Sequence, residues 1–271
     1  MSTSRVLVLG AIAGMTILLG LPLGRLRNPA PRFRASLNAV AIGILVFLLF
    51  DVLSHANEPV EAALTDAGDG VSSWWRFVGL AAVFAGGFAV GLIGLVYFDR
   101  HMNSATPTQA AGRRSLASWS PARRLALLIA AGIGLHNFSE GLAIGQSAAN
   151  GEISLALLLI IGFGLHNATE GFGIIAPLAG EEERPSWRFL GAMGLLGGGP
   201  TFVGTLVGKS FVNDTLFLAF LALAAGSILY VVIQLLKVAS RQPFTELVMW
   251  GIFAGIAAGF ATDYVLVAAG V

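Results

Sequence analysis

The chain contains no cysteine. Disulfides, iron–sulfur clusters and thiolate metal sites are thereby excluded. Charge is scarce as well. Asp, Glu, Lys and Arg make up 11% of the 271 residues, less than half the share usual in soluble domains. The net charge of +1 says little by itself, and no nucleic-acid partner is expected. A phosphate-binding loop is missing too. The run Gly208-Lys209-Ser210 resembles one, but the preceding glycine is at 204 rather than 203 and the run ends an apolar segment.

Apolar sequence stands in place of charge. Hydrophobic residues make up 56% of the chain, the mean hydropathy is +0.80, and apolar runs of about twenty residues recur throughout, the length needed to span a bilayer. The reading is an integral membrane protein with the lipid bilayer as partner. Glycine is abundant, at 35 residues. It recurs in spaced sets such as Gly10/Gly14, Gly20/Gly24, Gly87/Gly91, Gly141/Gly145, Gly204/Gly208 and Gly251/Gly255/Gly259. Membrane helices use such residues to bring backbones close.

The expected fold is all-α: a single domain over residues 1–271, built as a polytopic bundle of eight membrane helices. The spans read Val6–Leu23, Ala35–Ala56, Trp75–Phe98, Arg124–Ala148, Ile153–Ala179, Phe189–Gly208, Asp214–Val238 and Phe244–Ala269. Arg5 before an apolar run resembles a signal peptide, but the run has no clear cleavage site and is read as a retained helix. Basic residues decide orientation. Thirteen of the sixteen fall in the first, third, fifth and seventh connections; only Arg5, Arg76 and Lys209 fall at the other side. The odd connections are therefore expected in the cytoplasm, with both termini outside a cell membrane. The third connection, about residues 99–123, is expected to be a flexible cytoplasmic loop. The second carries Glu58, Glu61, Asp66 and Asp69, an acidic outer mouth. Pro177 and Pro200 are expected to kink spans five and six.

One phrase occurs twice, thirty residues apart: Gly134-Leu135-His136-Asn137-Phe138-Ser139-Glu140-Gly141 and Gly164-Leu165-His166-Asn167-Ala168-Thr169-Glu170-Gly171. His and Glu four apart share a helix face. Ionisable side chains in hydrocarbon point to function by default. The spacing predicts both histidines at one level near the midplane, with Glu140 one turn outward and Glu170 one turn inward. Spans four and five then form an inverted pair, the arrangement in which transporters place their sites. Two imidazoles and two carboxylates suit a divalent transition metal, and the lack of thiolates suits an ion that must be released. Asn137 and Asn167 add amide oxygens as ligands or supporting partners. Gly141 and Gly171 leave room for a neighbouring helix. At the outer end of span two, Asp51, His55 and Glu58 share a face and read as an entry relay or an outer transport site, with an interfacial polar cluster as the alternative. Asp263, toward the outer end of span eight, is a weaker candidate for the same region.

The twin phrase resembles the signature of the ZIP (Zrt-/Irt-like protein) family of divalent-metal transporters. Gly226-Ser227-Ile228-Leu229-Tyr230-Val231-Val232 resembles that family's seventh span, and the eight spans and long third loop match as well. The resemblance implies movement of Zn2+ or a similar ion toward the cytoplasm. It also implies a 3+2+3 inverted-repeat arrangement around the site. Three departures stand out. Ser139 and Thr169 replace proline, Gly199-Pro200 replaces a Glu-Pro pair that completes a second metal position, and Gln234 replaces an acidic residue at the exit. The metal is cargo, and no resident cofactor is expected. A homodimer is left open. The rival reading is a zinc-dependent intramembrane hydrolase, which the ligands would suit but for which no further acid, base or oxyanion donor stands out.

Overall fold

The computed structural model describes residues 3–26, 30–104, 119–149, 153–181, 183–210 and 213–268. Among them every regular element is a helix. We number the α-helices α1 Thr3–Met15, α2 Pro31–Gly68, α3 Trp74–Ser104, α4 Pro121–Ala149, α5 Ile153–Ile175, α6 Trp187–Ser210, α7 Asp214–Ala239 and α8 Thr245–Ala268. Short 3-10 segments extend α1 over Thr16–Leu19 and Leu21–Arg25, and α5 over Ala176–Gly180. Seven of these helices, α1 taken with its extensions, are long and apolar enough to cross a membrane. The remaining helix, α5, has 23 residues of similarly apolar sequence.

Backbone hydrogen bonding forces spanning segments in hydrocarbon into helices, and glycine sets how closely these pack. A Cβ on Gly43 of α2 would strike the Ile252 carbonyl of α8, and one on Gly255 of α8 would strike the Val40 carbonyl of α2. The α3–α7 seam has the same reciprocal form, with Gly91 against Leu223 and Gly226 against Phe88. These two seams exchange when α2 is swapped with α7 and α3 with α8. Two further pairings, α1 with α6 and α4 with α5, are unchanged by the matching swap. An inverted repeat would produce exchanges of this kind. The most extensive seam joins α4 to α6, where Gly141 and Gly145 of α4 and Gly204 and Gly208 of α6 each meet backbone of the other helix.

Contacts at the helix ends bring alternate connections together. Arg25 stacks on Trp187 at 4.6 Å, Arg32 on Phe244 at 5.8 Å, and Arg123 lies 3.6 Å from both Glu181 and Glu183. The first, third, fifth and seventh connections therefore lie at one end. Arg76 pairs with Asp66 at the other. The outer surface is apolar, with Trp75, Val90, Tyr97 and Phe253 all well exposed. A lipid-facing surface has this composition.

The boundaries differ from expectation at three places. First, α2 continues beyond Ala56 to Gly68, so Glu58, Glu61 and Asp66 are helical and only Asp69 caps the end. Its 38 residues run about 57 Å at 1.5 Å per residue, well past the hydrocarbon. Val60, Ala63 and Ala67 keep one face buried while acidic residues occupy the other, so hydropathy fades before the helix does. Second, residues 99–104 close α3 and 121–123 open α4 as helix; the rest of the expected loop, 105–118, lies outside the described residues. Third, Pro177 does not kink a continuing helix. The α-helix stops at Ile175 and Pro177 sits in the first turn of a 3-10 segment, because proline cannot supply the next i→i−4 donor. By contrast, α6 runs through Pro200.

Candidate metal centre

The two motifs face each other near the middle of α4 and α5. His136, Asn137, Glu140, Asn167 and Glu170 are all buried, none more than 5% exposed. His136 Nε2 and Glu140 Oε1 are 3.1 Å apart, one helical turn separating them. Asn137 Nδ2 donates to Glu170 Oε2 at 3.1 Å and to the Gly197 carbonyl of α6 at 3.0 Å. It thereby ties three helices at one point. Asn167 lies beside Glu140 and donates from Nδ2 to the Ala13 carbonyl of α1 at 3.2 Å. That carbonyl sits just before α1 tightens into a 3-10 segment, where the regular ladder is interrupted. Thr16 Oγ1 reaches from the same place to the Gly164 carbonyl at 2.6 Å.

Asn137 meets Glu170 and Asn167 meets Glu140, so each motif's amide lies against the other motif's carboxylate. The side chain of His166 lies outside the described residues. Among the described residues, no three His, Asp or Glu side chains surround one point. The acceptor chemistry is nevertheless distinctive. Asn137 Oδ1, Glu140 Oε2 and Asn167 Oδ1 are buried and have no hydrogen-bond donor among the described residues. Buried acceptors are seldom left so. Oxygens of this kind beside a histidine form a fitting set for a hard or borderline cation, which needs no proton to satisfy them.

Local packing explains why this sequence can build the site. Gly141 places the Glu140 turn directly against the Thr201 backbone of α6, and Gly171 places the Glu170 turn against Ile17 and Gly20 of α1. Ser139, in place of proline, donates to the Leu135 carbonyl at 3.4 Å, so α4 keeps its course.

The other sequence candidates divide. Asp51 and His55 pair across one turn of α2 at 3.5 Å, with Asp51 about one-third exposed. Asp51 also lies within electrostatic range of His136 and Asp263, which links the outer end of α2 to the buried cluster. Glu58 is exposed and joins no ion pair among the described residues. Gln234 lines a cleft between α4 and α7 with Arg124, Lys237 and Arg241. Sequence reasoning missed Thr16 and Thr201. Thr201 is fully buried, with Oγ1 lacking a partner among the described residues. A lone threonine in an apolar helix gives no signal without knowledge of which face is covered.

Together these features define a polytopic helical membrane protein with a buried histidine–carboxylate–amide cluster between its fourth and fifth helices. The family profile described as ZIP zinc transporter matches residues 98–258, and the chain belongs to that family. It is 30% identical over 145 residues to the zinc transporter ZupT of Enterobacter sp. (strain 638). The match covers 53% of this chain and 50% of that protein, so the chain spans about half the length of the curated relative. Members of this family are transporters, not enzymes, and no observation favours the hydrolase reading.

Proposed function

We propose that the protein carries divalent transition-metal ions, with Zn2+ as the substrate, across the cell membrane toward the cytoplasm by alternating access. The cargo binds among His136, Asn137, Glu140, His166, Asn167 and Glu170. The observation that carries this reading is the set of buried oxygens left without donors beside the His136–Glu140 pair. Family membership supports the transport chemistry. The concentration of basic residues at one end supports cytoplasmic odd connections and external termini.

In this reading the cation is attracted first by Asp51, steadied by His55, and handed to His136. Glu58 adds negative charge farther out on α2. Binding exchanges the His136–Glu140 contact for metal coordination by both groups. Glu170 joins from α5, so one ion bridges two helices related by the inverted repeat. Release follows when the helices separate toward the opposite face, along α5 and α7. His136→Ala and Glu170→Ala are expected to abolish saturable Zn2+ uptake in cells while the protein remains in the membrane. Near-normal uptake by both variants overturns the assignment.

A further inference from the structure

The end of the bundle carrying the odd connections holds a cleft of about 340 Å³ between the first turns of α4 and the last turns of α7. Arg124 enters it from α4. Gln234 and Lys237 enter from α7, and Arg241 from just beyond. Spacings of three and four residues place the α7 groups on one face. Among the described residues, no acidic residue lines the cleft. The nearby acids Glu181 and Glu183 are engaged by Arg123 instead. Arg124, Lys237 and Arg241 make no ion pair among the described residues, and Arg124 Nε is buried without a hydrogen-bond partner among them. Nor are the cations needed to close α7. The N–H groups of Ser240, Arg241 and Gln242 already reach the carbonyls of Leu236, Val238 and Ala239. Pro121 at the start of α4 also borders the cleft, which adds the positive end of that helix dipole.

Three cations with no acidic partner among the described residues surround one concavity, and an anion seated between them would offset their mutual repulsion. A guanidinium fork, two further cationic groups and an amide donor match the oxygens of a phosphate. We propose that this cleft binds a phosphate group, as the head group of an anionic phospholipid or as free phosphate. Its place at the end of two membrane-crossing helices suits a head group, and Leu125 and Leu128 continue the wall toward the apolar interior. Basic pockets between membrane helices recognise anionic lipids in this way. The inference does not depend on which ion is transported.

The test uses the full-length protein purified in detergent. Native mass spectrometry titrates phosphatidylglycerol and, separately, phosphatidylcholine. Thermal unfolding compares inorganic phosphate with chloride at equal ionic strength. The Lys237→Gln, Arg241→Gln double variant is expected to bind phosphatidylglycerol about 30-fold more weakly than wild type, the effect of two basic residues near an anionic group. Arg76→Gln, Lys209→Gln at the opposite end is expected to bind as wild type does, and phosphatidylcholine to bind all three poorly. Protection by inorganic phosphate in wild type but not in the Lys237, Arg241 variant would identify a free anion as the occupant and supports the same cleft. Arg241→Gln alone, on an exposed side chain, gives the same reading with about a five-fold loss should the double variant be unstable. Equal phosphatidylglycerol binding by wild type and the Lys237, Arg241 variant, with no protection by phosphate, overturns the proposal. So does an equal loss in the two double variants.

Discussion

Two identical substitutions on one helix are expected to have opposite effects. A Cβ on Gly204 of α6 would collide with the Phe138 carbonyl of α4 and approach Leu142 N and Phe138 C to 3.0 Å. Both neighbours are backbone, so no side chain can turn aside. Non-bonded atoms of this kind rest at about 3.5 Å or beyond, so α4 and α6 must part by about an ångström. Overpacking of this sort costs about 1–3 kcal/mol, against a gain of about 1 kcal/mol from alanine's helix propensity. Gly191→Ala in the same helix meets nothing within 4 Å and keeps only the gain. The two variants should therefore differ by about 1–3 kcal/mol, with Gly204→Ala the less stable in detergent thermal unfolding. The functional effect should follow. An ångström of separation stretches the bond from Asn137 to the Gly197 carbonyl, now 3.0 Å, beyond hydrogen-bond range, so Zn2+ uptake should fall in Gly204→Ala and persist in Gly191→Ala. Gly204→Ala at least as stable and active as Gly191→Ala would refute the packing argument.

Other outcomes follow from the same contacts. Asn137→Leu removes the donor to buried Glu170 and to Gly197, and should lower stability by about 1–3 kcal/mol, read as reduced thermal unfolding temperature together with loss of uptake. Arg123→Gln removes ion pairs whose far partner, Glu183, is largely exposed; its effect on stability should stay within about 1 kcal/mol, and a large loss would show that this contact holds the end of the bundle closed. Acidification should weaken metal binding, because histidine and carboxylate must shed protons to act as ligands; titrations at successively lower pH should show rising apparent Kd, and pH-independent affinity would contradict ligation by these groups.

Much of the architecture was legible in the chain because hydrocarbon permits few solutions. Each of the eight apolar runs became a helix, and the spaced glycines marked the seams. The twin motif announced itself because His136, Glu140, His166 and Glu170 have no ordinary reason to lie in apolar sequence. Two things were not legible. Hydropathy could not follow α2 past Ala56, since the helix there lives on one buried face, Val60 to Ala67, and carries charge on the other. The partners of the two amides were also beyond the pattern. Periodicity fixes which residues share a face, while the pairing of Asn137 with Glu170 and Gly197, and of Asn167 with Ala13, rests on contacts distant in sequence. The basic cleft was hidden for a related reason: Arg124 and Lys237 each look like an ordinary residue at a helix end, and only folding brings them together.

The most direct test of the central claim is metal flux into proteoliposomes of the purified protein, wild type against a His136→Ala, His166→Ala double variant, with Zn2+, Cd2+, Fe2+ and Mn2+ supplied separately. The account predicts saturable Zn2+ flux in wild type and none above empty liposomes in the variant, with both proteins equally incorporated. Saturable flux that survives the double substitution would contradict it.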